Sequence, residues 1–160
     1  MRIDREAFNQ QLFDEIMPLG QKCWEESTRV KAESCAFYGD RDFAIEPALE
    51  TYQQLSDANS LIIVTLRDDD LKGYIIGFLY RSWHHKKLLC GSVDSIYVEP
   101  ECRAYTLVLT GRFEKEMKAA GAVIIGWWIM VVLRLSAGET EQDFPFMDGP
   151  YRLTGHYKAN

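Results

Sequence analysis

The chain has 160 residues, 47% of them apolar and 26% charged, with 18 Lys and Arg against 24 Asp and Glu for a formal charge of −6. That length suits one domain able to bury a core without disulfides or a structural metal, and Leu, Ile, Val and Phe are too frequent for a disordered chain. Net acidity argues against nucleic acid as the main partner, since such proteins need a clustered basic face, and the one basic cluster is Arg81 with Lys86 and Lys87.

Cys23, Cys35, Cys90 and Cys102 form no C-x-x-C pair, so neither a metal site nor a disulfide framework is signalled, and reduced thiols in a cytoplasmic protein are expected. Met1, Arg2, Ile3, Asp4 and Arg5 lack the apolar core of a signal peptide. The charge-free run 119–133 is fifteen residues long and is interrupted by Gly121 and Gly126, short of the roughly 20 residues that span a bilayer. No membrane partner is expected.

In chain order, Asp4 reads as the N-cap of a helix carrying Phe8, Leu12, Phe13 and Ile16, broken near Pro18, with a second helix over 19–30 and a loop over 31–45. Pro47 suits the first position of another helix with Ala48, Leu49, Tyr52 and Leu55 on its apolar side, ended by 57–60. Apolar runs at 61–66 and 73–80 about the turn 68–70 predict a hairpin, and 88–98 a third strand closed by Pro100. A helix over 106–120 follows, with Leu107, Phe113, Met117 and Ala120 on one side and Gly121 as its stop. The β-branched, aromatic run 123–133 predicts a central strand in which Trp127 and Trp128 face opposite ways; residues 134–148 are irregular, and 151–157 form a last strand. The expected architecture is a single α/β domain over 1–160, a mixed sheet with helices on both faces, made of a helical part over 1–45 and a core over 46–160.

The segment richest in chemistry is 92–108, SVDSIYVEPECRAYTLV, which joins a strand to a helix N-terminus, a place where backbone N–H groups and the helix dipole favour phosphate. Val98, Pro100 and Arg103 in this setting resemble the acetyl-CoA motif V-x-P-x-x-R-x-x-G-x-G/A of GNAT-family N-acetyltransferases. The element order from Pro47 to Tyr157 also resembles the GNAT fold. The likeness looks closest to phage and prophage members, through His84, His85 and Lys86 before the motif, Asp94 within its strand, Gly149, Pro150 and Tyr151, and His156, Tyr157 and Lys158 near the close. Thr106 and Val108 depart from the family's two small positions, and residues 134–148 contain no Tyr beside the thiol.

The resemblance implies an acetyl-CoA-dependent N-acetyltransferase moving an acetyl group to a primary amine by direct transfer. Ile96, Tyr97 and Val98 would then offer backbone groups to the pantetheine arm, while Arg103, Ala104, Tyr105, Thr106, Leu107 and Val108 would wrap the pyrophosphate. Direct transfer needs a base for the amine proton and a donor for the oxyanion. Asp94, in the strand between apolar neighbours, is the leading base candidate, with a solvent-facing or salt-bridged carboxylate as the ordinary alternative, and Glu99 is the second, with a solvated side chain at the strand end as its alternative. His84 is a candidate proton relay or a solvated loop residue. Tyr157 is a candidate acid for the departing thiolate or a packing side chain. The expected acceptor is an amine-bearing small molecule or protein, no metal is expected, and a homodimer is compatible. Thr106 and Val108 motivate the alternative, a GNAT-fold module without acyl transfer that acts through protein binding.

Overall fold

The structure is a computed structural model that describes residues 1–34 and 47–126, with side chains over 1–26 and 47–126. Along the chain run β1 (Arg2–Glu6), α1 (Gln10–Ser34), α2 (Leu49–Asp57), β2 (Leu61–Arg67), β3 (Leu71–Arg81), β4 (Leu89–Val98), a 3₁₀ turn (Pro100–Tyr105), α3 (Thr106–Ala119) and β5 (Ile124–Gly126). The strands make one sheet of order β1-β2-β3-β4-β5, antiparallel except for the parallel pair β4 and β5. A parallel pair needs a crossover, and α3 supplies it.

Period-two alternation divides the apolar strands between two cores. Ile62, Val64, Ile75 and Leu79 face α3, where Leu109, Phe113 and Met117 are fully buried. Ile63, Tyr74, Ile76 and Tyr97 face Leu12, Ile16 and Leu19 of α1, with Tyr52 and Leu55 of α2 packed at the side. A strand covered on both faces must be apolar throughout, which is why β2 reads LIIVTL without alternation. Helix α3 approaches the sheet closely over Gly77, where an added Cβ would sit 2.3 Å from Ser92 O and 2.6 Å from Phe113 Cζ.

Two helix ends follow a shared pattern. After α3, Gly121 at φ +95° lets its N–H reach Lys118 O at 2.9 Å and that of Ala122 reach Met117 O at 3.0 Å, the paired bonds that close a helix through a left-handed residue. Asn59, at φ 53°, does the same after α2, with Ser60 N–H on Leu55 O at 2.7 Å.

The N-terminal part differs from the sequence expectation. Asp4 lies in β1, paired with Thr65, and the helix starts at Gln10 behind Asn9, whose Oδ1 accepts the Leu12 N–H at 2.9 Å as an N-cap does. Pro18 sits inside α1, which runs on as one helix of 25 residues. A mid-helix proline removes one backbone bond at a cost of about 3 kcal/mol, and the burial of Leu12, Ile16 and Leu19 against the sheet outweighs it. Residues 31–34, expected as loop, continue that helix. Leu107 does not join the buried side of α3 but is 84% exposed, because the buried stripe is Leu109, Phe113 and Met117 at intervals of four. The expected strand beyond Gly126, the stretch 134–148 and the last strand lie outside the described residues.

Candidate active site

The sheet changes character in the middle of β4. Ile76 pairs with Ser95 and Gly77 with Val93, so Asp94 is an extra residue opposite no partner, a β-bulge. On its other side β4 pairs with β5 through Cys90, Gly91 and Ser92, and the described residues of β5 end at Gly126. Ile96, Tyr97 and Val98 follow the bulge and carry β4 to its end.

The exposed Asp94 carboxylate lies on the α1 and α2 side, where the Tyr52 hydroxyl of α2 donates to its Oδ2 at 2.8 Å. Beside it the Tyr74 and Ser95 hydroxyls are 2.9 Å apart. Burial, reinforced by the Asp94 charge, holds the Tyr52 phenol well above its ordinary ionisation range, and burial does the same for Tyr74. Both phenols are therefore proton-bearing near neutrality.

At the end of β4, Glu99 is anchored rather than solvated. Its carboxylate accepts from Lys22 Nζ of α1 at 2.5 Å with only 16% of the side chain exposed, and this bond raises the lysine's affinity for its proton. Arg103 Nη2 lies 3.2 Å from Glu26 Oε2, and Tyr97 donates to the other oxygen of Glu26 at 3.3 Å. Burial first, then the Glu26 and Glu99 charges, push the Tyr97 phenol up to about 12. Within the turn, Cys102 N–H bonds Glu99 O at 2.8 Å and Thr106 N–H bonds Arg103 O. Ala104, Tyr105, Leu107 and Val108 are exposed around it.

These observations fit a pantetheine-bearing cofactor. The first turn of α3 carries no acidic side chain to repel a pyrophosphate, and the Arg103–Glu26 pair is exposed enough for a phosphate to displace it. Thr106 and Val108 replace the small residues of the motif, but Val108 is 59% exposed, turned out from the core rather than packed in it.

The structure does not gather all the sequence candidates. His84 is exposed in the β3–β4 connection, beyond Leu89, and Glu99 follows the other end of the strand; each is five or more residues from Asp94, roughly 16 Å at about 3.3 Å per residue. Tyr157, Trp127 and Trp128 lie outside the described residues. Tyr52 was not singled out by sequence as a site residue. It reads as the apolar side of an amphipathic helix, and only the fold reveals that it meets Asp94, 42 positions away. Among the described residues no group of His, Cys, Asp and Glu could hold a metal ion, and no helix is long and apolar enough to cross a membrane.

The fold is that of the GNAT acetyltransferases. The chain is similar to an acetyltransferase from Vibrio fischeri (21% identity, TM-score 0.56, covering 79% of this chain and 94% of that one). It is similar also to a ribosomal-protein-alanine N-acetyltransferase from Brucella melitensis biovar Abortus 2308 (15% identity, TM-score 0.55, 83% of each chain). A third is an aminoglycoside acetyltransferase from an uncultured soil metagenomic sample, solved with sisomicin (14% identity, TM-score 0.54, 82% of this chain and 78% of that one). At these identities the likeness is one of fold. No protein-family model and no curated protein matches the chain.

Proposed function

We propose that this chain is an acetyl-CoA-dependent N-acetyltransferase that acetylates a primary amine by direct transfer. The observation that carries the reading is the carboxylate of Asp94 on a bulge of β4, held by the Tyr52 hydroxyl, in a fold shared with acetyltransferases. When bound, acetyl-CoA supplies the activated acyl group. Ile96, Tyr97 and Val98 hold its arm through backbone groups, and residues 103–108 face its pyrophosphate. Asp94 takes the proton of the incoming ammonium, so that an N–H bond breaks, an O–H bond forms and the electron pair stays on nitrogen for attack. Glu99, tied to Lys22, and the distant His84 are less well placed for that step.

The chain's acidity and the sisomicin complex of one structural neighbour support a small cationic amine as acceptor. Calorimetric titration with acetyl-CoA is the test. Binding heat and a thermal shift are expected, and their absence at millimolar cofactor would overturn the reading. With binding established, Asp94→Asn should lower turnover by about a hundredfold while leaving cofactor affinity nearly unchanged. The second reading, a binding module without transfer, draws on the exposed Leu107 and Val108 and on Thr106; it predicts the silent titration.

A further inference from the structure

We infer that Tyr52 is a positioning residue for Asp94, its hydroxyl fixing one carboxylate oxygen so that the other is presented to the acceptor amine. The inference rests on the transferase reading for its chemistry and on geometry for the contact.

A bulge residue has no directly opposed neighbour in the ladder, so cross-strand packing does not orient its side chain. Asp94 is such a residue and is exposed, and a carboxylate in that setting samples many rotamers unless something holds it. The hydrogen bond from Tyr52 at 2.8 Å is the hold. Tyr52 is itself fixed, since its ring stacks on Phe8 with centroids 6.3 Å apart at 17° and lies 6.1 Å from Phe13. Helix α2 has no fully buried residue, so the phenol also ties that helix to β4. Among the described residues, the titratable groups facing the carboxylate are Tyr52 from α2 and Tyr74 from β3, the latter engaged with Ser95. With Oδ2 occupied, Oδ1 accepts the ammonium proton. The carboxylate becomes a carboxylic acid, the ammonium a neutral amine, and Tyr52 keeps its own proton throughout.

Tyr52→Phe removes the hydroxyl and leaves the ring on Phe8 and Phe13, so the variant is expected to melt within a few degrees of the parent. The first readout needs no cofactor: the order of the Asp94 side chain is followed by NMR relaxation of its β-methylene in aspartate-labelled protein. Losing the bond should loosen that side chain, lowering its order parameter in Tyr52→Phe relative to the parent. An unchanged order parameter overturns the inference. The second readout is acetylation of spermidine, sisomicin and a lysine peptide. Tyr52→Phe should lower kcat about tenfold with KM for acetyl-CoA unchanged, and should add nothing in an Asp94→Asn background. Independent, multiplying effects in the double variant would equally overturn it. If the parent acetylates none of these and binds no acetyl-CoA, the transferase reading falls, while the relaxation measurement still decides whether Tyr52 holds Asp94.

Discussion

Gly77 and Gly111 are the same residue type in opposite circumstances, and they show how far a single methyl group is governed by its surroundings. A Cβ at Gly77 would press on the backbone oxygen of Ser92 as well as on Phe113 and Met117, and backbone cannot step aside as a side-chain tip can. Gly77→Ala should therefore destabilise by about 1–3 kcal/mol or more, as overpacking does. A Cβ at Gly111, inside α3, meets nothing within 4 Å, so Gly111→Ala should stabilise by about 0.5–1 kcal/mol through backbone entropy alone. Chemical denaturation of the two variants checks both signs. Neither glycine announces this in the sequence, where each simply interrupts a pattern. Asp94 was legible as a carboxylate among apolar strand residues, but the bulge that isolates it depends on register against Ile76 and Gly77, which no local spacing encodes. Tyr52 carried no signal at all, because its polar partner comes from a distant strand.

Among the elements, those with long, uninterrupted patterns were readable: the β2–β3 hairpin, β4 ending before Pro100, and α3 stopping at Gly121. The first strand was not. With Ile3 as its one apolar residue it offers no alternation to read, and its identity is fixed by tertiary partners, chiefly Arg67. The Arg67 Nε lies 2.6 Å from Glu6 Oε1 and its Nη2 2.6 Å from Glu15 Oε2, joining β1, β2 and α1 at one guanidinium. Burial works against the Glu6 charge, but the hydrogen bonds from Arg67 and Thr65 and the Arg67 charge outweigh it, so its carboxyl titrates below the ordinary 4.5. A lowered folded value means that the contribution is complete above the unfolded value and is lost as pH falls through the folded one. The melting temperature should accordingly decline as pH drops below 4.5, and Glu6→Gln should flatten that decline. Thermal scans between pH 7 and pH 3 would show equal slopes if the pairing had no part in stability.

For the molecule as a whole, two cores share one sheet, and the candidate site sits where the side chains of β4 change the face they serve. Val93 and Val98 point to α3, and Tyr97 to α1. Asp94 is supernumerary to this arrangement. Because Val93 already pairs with Gly77 and Ser95 with Ile76, removing residue 94 would join two flanks whose pairing and facing agree without it. Deletion of Asp94 should therefore leave a chain that still melts in one cooperative transition by circular dichroism, with the strand straightened and acetyl transfer abolished. A chain that failed to fold would show instead that the bend is needed by the sheet. On the proposed transferase reading the chemistry resides on an insertion, which a single codon can add or remove, and the pairing of the flanks gives such a change a route that keeps the scaffold folded.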